Sequence, residues 1–232
     1  MDMIDQFVAY GLTRQEATLY IALLTEGELN GYEAAKLTGI SRSNAYNGLA
    51  GLVDKGAAHM IEGSVTKYTP VNVEEFCNNK LRTLDMIREE LIRRLPPLKE
   101  QNNGYITIKG EKNILDKLKT MITNASERVY LSMSSDLLGL VKSELIDIVS
   151  RRIKLVIITD TSFELEGSII YYTDKKDSRI RLISDSQKVL TGDISSAADS
   201  TCLYSMNNNL VSIFKEMLQN EITLLNRNSL EK

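Results

Sequence analysis

Residues 41–47 read Ser-Arg-Ser-Asn-Ala-Tyr-Asn. At helical spacing Ser43, Tyr46 and Asn47 fall on one face, with Arg42 and Asn44 beside them. An asparagine amide both donates to and accepts from a base edge, and Arg42 and Tyr46 can reach phosphate. Ser41 suits an N-cap, where free backbone N–H groups also attract anions. This is the chemistry of a helix seated in the major groove of DNA, and the same residues equally suit a solvated helix face. Lys67 follows a turn and can meet a phosphate across the minor groove. A second polar set, Ser132, Ser134, Ser135, Asp160 and Thr161, follows two apolar stretches, and Asp185 and Asp193 flank a third. Hydroxyls and carboxylates there suit a polyol or a cation. They also suit ordinary loops, with Ser134-Ser135-Asp136 capping a helix.

The elements that would position the first set are legible upstream. Thr13-x-x-Glu16 and Asn30-x-x-Glu33 are capping-box patterns. Behind the first, Ala17, Tyr20, Ile21 and Leu24 make an apolar stripe; behind the second, Ala34 and Leu37 lead to Gly39, a left-handed stop. A helix capped at Ser41 follows, so the pair reads as a helix-turn-helix. Ala45, Leu49, Leu52 and Val53 fix its inner face, which turns Ser43, Tyr46, Asn47 and Ala50 outward. Gly56 ends it, and β-prone stretches on either side of Glu62-Gly63 form a hairpin closed by Pro70. Gly48 and Gly51 break the rule for helix interiors, each costing about 0.5–1 kcal/mol against alanine, which fits close approach to a neighbouring helix, the DNA backbone or a partner, and equally fits drift.

Residues 71–103 change character. Cys77, Leu84 and Leu91 lie seven apart, with Leu81, Ile87 and Leu95 beside them: an amphipathic helix of three heptads, suited to self-association. Arg88, Arg93 and Arg94 are expected to be solvated or paired with Glu89 and Glu90. Pro96-Pro97 ends the helix, and Asn102-Asn103-Gly104 leads into a second domain. From Tyr105 strands and helices alternate: YITIK, EKNILDKLKTMITNA, RVYLSM, DLLGLVKSELIDIVSR and KLVIIT. The near-continuous apolar strands imply a sheet covered on both faces. RIRLIS and KVLTG flank Asp185-Ser186 as a hairpin, TCLYSM is a strand, and a final helix over 210–225 has Leu210, Ile213, Phe214, Met217 and Leu225 as its core side.

Composition narrows the classes. The chain has 232 residues, net charge −3, 43% hydrophobic residues and a single histidine, His59. No apolar run approaches the roughly 18–20 residues of a membrane span. The acidic start lacks a signal peptide's basic segment, and Cys77 and Cys202 form no metal or redox spacing, so a cytoplasmic protein with reduced thiols is expected. Residues 1–70 carry five Lys/Arg against eight Asp/Glu, so DNA binding must rest on local placement of charge and on two copies reading two half-sites.

The order of parts resembles the TrmB-like transcriptional regulators. The residues that carry the resemblance are LTRQEATLYIALL (12–24), YEAAKLTGISRSNAYNGLAGLVDKG (32–56) and TKYTPVNVEEF (66–76). It implies a winged helix-turn-helix (1–70), a dimerisation helix and linker (71–103), and an α/β effector domain of phospholipase D-like architecture (104–232). The expected protein is a homodimer on double-stranded operator DNA, with a small-molecule effector, sugars being common in the family. It has no catalytic residue, metal or cofactor. Two other readings stand beside it. One is a protein-interaction module that does not bind DNA. The other is a phospholipase D-type phosphodiesterase, whose chemistry needs a His-x-Lys that this sequence lacks.

Overall fold

The computed structural model describes residues 2–97, 104–161, 163–173, 178–195 and 200–230, with side chains to 227. The Asn102-Asn103 part of the expected linker lies outside them. The chain forms two compact units, Met1–Pro97 and Leu98–Lys232.

In the first unit the elements run α1 (Met3–Ala9), α2 (Arg14–Glu26), β1 (Leu29–Asn30), α3 (Gly31–Thr38), α4 (Arg42–Asp54), β2 (Ala58–Ile61), β3 (Lys67–Pro70) and α5 (Val73–Arg94). Both capping boxes form: Thr13 with Glu16 at α2, and Asn30 with Glu33 at α3. Gly39 ends α3 with φ 72°, a left-handed turn that glycine adopts without strain. The sheet order β1-β3-β2 adds a short strand that the sequence reading passed over, as it did α1. One core of α1–α4, the hairpin and the start of α5 closes the unit around Leu19, Tyr20, Leu49, Leu52 and Phe76.

The second unit is β4 (Tyr105–Lys109), α6 (Glu111–Thr123), β5 (Arg128–Ser132), α7 (Ser135–Gly139), α8 (Lys142–Ser150), β6 (Lys154–Thr159), β7 (Ile169–Tyr172), β8 (Arg179–Ser184), β9 (Lys188–Asp193), β10 (Thr201–Ser205) and α9 (Asn208–Leu230). Its seven strands are ordered β4-β10-β9-β8-β5-β6-β7, with β5, β6 and β7 parallel and the other pairs antiparallel. One face packs on α6, α7 and α8 through Ile114, Leu118, Leu138, Leu145 and Ile157; the other packs on α9 through Ile158, Ile183, Val211 and Leu218. The β8–β9 hairpin turns at Asp185 (φ 52°) and Ser186 (φ 56°), the two positive angles that a type I′ turn requires.

Two expectations need correction, and one further element appears. DLLGLVKSELIDIVSR is two helices, broken after Gly139, with Val141 buried between them. Ile213 is exposed, and Val211 and Leu218 are the buried residues of α9. Residues 169–172 form a further parallel strand that the sequence reading did not identify. No helix among the described residues is long and apolar enough to cross a membrane.

Candidate functional site

The inner face of α4 is set by Ala45, Leu49 and Leu52, all fully buried. Gly48 and Gly51 lie on the same side. A Cβ on Gly48 would stand 2.5 Å from Cδ1 of the fully buried Leu19, and one on Gly51 would collide with the Glu16 carboxylate. The glycines therefore let α4 press against α2, which offsets their poor helix propensity. Glu16 is held by two donors: its Oε2 accepts the Thr13 amide at 2.6 Å and the Lys55 ammonium at 2.5 Å, and Lys55 in turn donates to the Gly11 carbonyl at 3.1 Å. Burial alone would raise the Glu16 pKa, but the bonds from Lys55 and Thr13 outweigh it and hold the carboxyl below its ordinary value.

With that face locked, Ser41, Arg42, Ser43, Asn44, Tyr46 and Asn47 are all exposed. Ser41 caps α4, its Oγ accepting the Asn44 amide at 3.4 Å. Two of the outward side chains are also positioned by α3. The Arg42 guanidinium sits 4.5 Å from the Tyr32 ring centroid, and the Tyr46 ring lies against Gly31, where a Cβ would come within 2.5 Å of its Cζ. Tyr32 was missed by sequence reasoning. Its signal was its place at the N-terminus of the first helix of the motif, beside α4. Lys67 opens β3 on the hairpin but shares its charge with Glu28 at 3.7 Å, an exposed pair of little strength.

The α5 helix leaves its domain after one turn. Phe76 is its only buried residue, and Cys77 is half-buried against the same core, its carbonyl accepting the Tyr10 hydroxyl at 2.8 Å. The structure thus separates Cys77 from Leu81, Leu84, Ile87, Leu91 and Leu95, which are all exposed. Arg88 pairs with Asp85 and Glu89, and Arg93 and Arg94 with Glu90. A 580 Å³ groove lies where the stripe begins, lined by Met3, Phe7, Tyr10, Leu24, Val73 and Cys77 among others.

In the second unit the polar candidates divide. Ser135, Asp160 and Thr161 meet beyond the carboxyl ends of β5 and β6: the Ser135 amide donates to Asp160 at 3.0 Å, and the Thr161 hydroxyl to the Ser135 hydroxyl at 2.6 Å. Ser134 precedes them at the N-cap of α7, and Ser132 is buried at the end of β5. Asp193 ends β9 on that same edge of the sheet, since it pairs in register with Arg179, the first residue of β8. Asp185 does not belong with them. It sits at the opposite edge, where its carboxylate accepts the amides of Ser126, Glu127 and Arg128 at 2.8–3.2 Å and the Ser126 hydroxyl at 3.2 Å. Burial pushes its pKa up, but those bonds hold it below the ordinary value, so Asp185 fixes the loop into β5.

Two family models cover most of the chain. One, described as sugar-specific transcriptional regulator TrmB, matches residues 7–74; the other, transcriptional regulator TrmB, EBD N-terminal subdomain, matches residues 104–219, half of the 232. The chain belongs to the TrmB family of transcriptional regulators. Among its relatives, the uncharacterized protein YrhO of Bacillus subtilis is 26% identical over 97% of this chain and 86% of its own. The HTH-type sugar sensing transcriptional regulator TrmBL1 of Pyrococcus furiosus is 24% identical over 70% of this chain, which spans only 48% of TrmBL1. The solved structure of TrmBL2, an archaeal chromatin protein, is 23% identical, covers 95% of this chain and 97% of its own, and superposes with a TM-score of 0.44.

Proposed function

We propose that this TrmB-family regulator reads duplex DNA as a homodimer in the cytoplasm, through the outward face of α4. The single observation that carries this is the locking of that helix. Gly48 and Gly51 seat it on α2, and the whole polar set from Ser41 to Asn47 is left in solvent. Arg42, held over Tyr32, is the phosphate or guanine donor; Asn44 and Asn47 are placed for base edges. Lys67 exchanges Glu28 for a phosphate.

Two copies are needed because one head carries so little charge. The exposed stripe from Leu81 to Leu95 supports pairing along α5, for this helix has almost nothing of its own domain to pack against. The effector reading rests on Ser134, Ser135, Asp160 and Thr161, a cluster of hydroxyls and a carboxylate at the strand ends, where α/β sheets take ligands, with Asp193 on the same edge. A polyol such as a sugar fits that chemistry and the sugar-specific description of the family. Such a ligand regulates only if it binds two arrangements of the reading heads with different affinity.

Fluorescence anisotropy of the full chain against the DNA upstream of its own gene, at several salt concentrations, tests the proposal. Sequence-preferring binding that weakens as salt rises is expected. A stable protein partner and no DNA affinity at low salt would instead favour an interaction module.

A further inference from the structure

Strand β4 is one of the two edge strands of the seven-stranded sheet. Among the described residues it pairs with β10 alone, in an unbroken register from Tyr105↔Ser205 to Lys109↔Thr201. It has no proline and no bulge, and Tyr105 (61% exposed) and Ile106 (38% exposed) stand in solvent. Natural sheets usually guard such an edge with charge, proline or a covering element, and here the guard is Lys109.

The strand is also self-complementary. Its sequence, Tyr-Ile-Thr-Ile-Lys, is symmetric about Thr107 apart from its ends, where an aromatic ring faces an ammonium. A two-fold axis through Thr107 would set Ile106 opposite Ile108 of a second copy, Thr107 opposite Thr107, and Tyr105 opposite Lys109. Each is a favourable cross-strand pair, and no two like charges oppose each other. The chain supplies the proximity. Only residues 95–104 separate the end of α5 from β4, a reach of at most roughly 35 Å. Two chains joined along α5 therefore hold their β4 strands at high effective concentration.

We infer that β4 pairs antiparallel with β4 of a second copy, centred on Thr107, and joins two sheets into one. The contact is isologous, as two-fold dimers require. This inference rests on the α5 dimer proposed above and adds a second contact to it.

Thr107→Cys in a Cys77→Ser background tests it directly. Directly opposed residues of an antiparallel pair have Cα atoms about 4.5–5.5 Å apart, within disulfide range. Mild oxidation of the full chain should give a cross-linked dimer, and Lys109→Cys, four residues from its own copy, should not. Tyr105→Lys sets two ammoniums against each other on both sides of the axis and should raise the dimer dissociation constant about tenfold. Adding Lys109→Glu should restore it, which separates pairing from misfolding. Sedimentation of the parent chain distinguishes the two readings. A parent monomer at micromolar concentration overturns both. A parent dimer whose Thr107→Cys variant does not cross-link overturns the β4 pairing alone.

Discussion

The Glu16 carboxylate lies 2.5 Å from the Lys55 ammonium, and through this pair the start of α2 holds the end of α4. The same oxygen takes the Thr13 amide, so one side chain closes the cap of α2 and fixes the pose of α4. Glu16→Gln keeps a capping-box residue but removes the charge. It should destabilise the first unit by about 1–3 kcal/mol at neutral pH. Because the folded carboxyl lies below its unfolded value of about 4.3, this contribution is complete above that pH and disappears as pH falls through the folded value. Urea unfolding of both proteins from pH 3 to 7 checks this; a gap that stays constant into acid would contradict it.

Gly48→Ala should destabilise despite alanine's better helix propensity. The added methyl meets Leu19, which is buried and has nowhere to go, at a cost of about 1–3 kcal/mol. Gly139→Ala, where the new methyl meets nothing within 4 Å, should be neutral or slightly stabilising. Thermal melts followed by far-UV circular dichroism suit a chain without tryptophan. A stabilised Gly48→Ala protein would mean that α4 does not press on α2.

Asp185→Asn and Asp160→Asn should part company. The first loses a carboxylate that accepts three amides and a hydroxyl, and should cost about 2 kcal/mol of stability in the second unit, with effector affinity unchanged in the folded protein. On the proposed effector reading, the second should weaken sugar binding more than tenfold at a smaller cost in stability, since the amide oxygen of the asparagine can still accept the Ser135 amide. Calorimetric titration with a panel of sugars, beside the melts, reads both; equal effects from the two variants would remove Asp160 from the site.

Leu84→Glu with Leu91→Glu should give a monomer that stays folded, since neither side chain packs in the core of its own unit. DNA affinity should fall at least tenfold, because the second half-site is lost. Sedimentation equilibrium reads the first, and a persistent dimer would place the interface elsewhere.

The parts of this fold that rest on local rules were legible in the sequence. Both capping boxes, the Gly39 stop, the phase of Ala45, Leu49 and Leu52, and the Asp185-Ser186 turn follow from neighbours within a few residues. What was hidden depends on distant partners. Gly48 and Gly51 left close approach and drift open, and Leu19 and Glu16, some thirty residues upstream, decide for close approach to a neighbouring helix. Asp185 reads as a turn residue beside Asp193, and only the sheet order sends its carboxylate to the amides of residues 126–128. Tyr32 needed the packing of α3 on α4 to bring it beneath Arg42. The single helix expected over 136–151 failed on a local signal, Gly139, which its continuous apolar pattern masks.

The central claim, that the outward face of α4 reads DNA, is tested most directly by comparing Arg42→Ala and Asn47→Ala with the parent in anisotropy titrations on the upstream DNA of its gene. Both side chains are exposed, so both variants should fold and dimerise normally. Each should weaken specific binding by about 1–3 kcal/mol, roughly five- to hundredfold, and Arg42→Ala should also flatten the salt dependence if it meets a phosphate. Parent affinity in both variants would contradict the account.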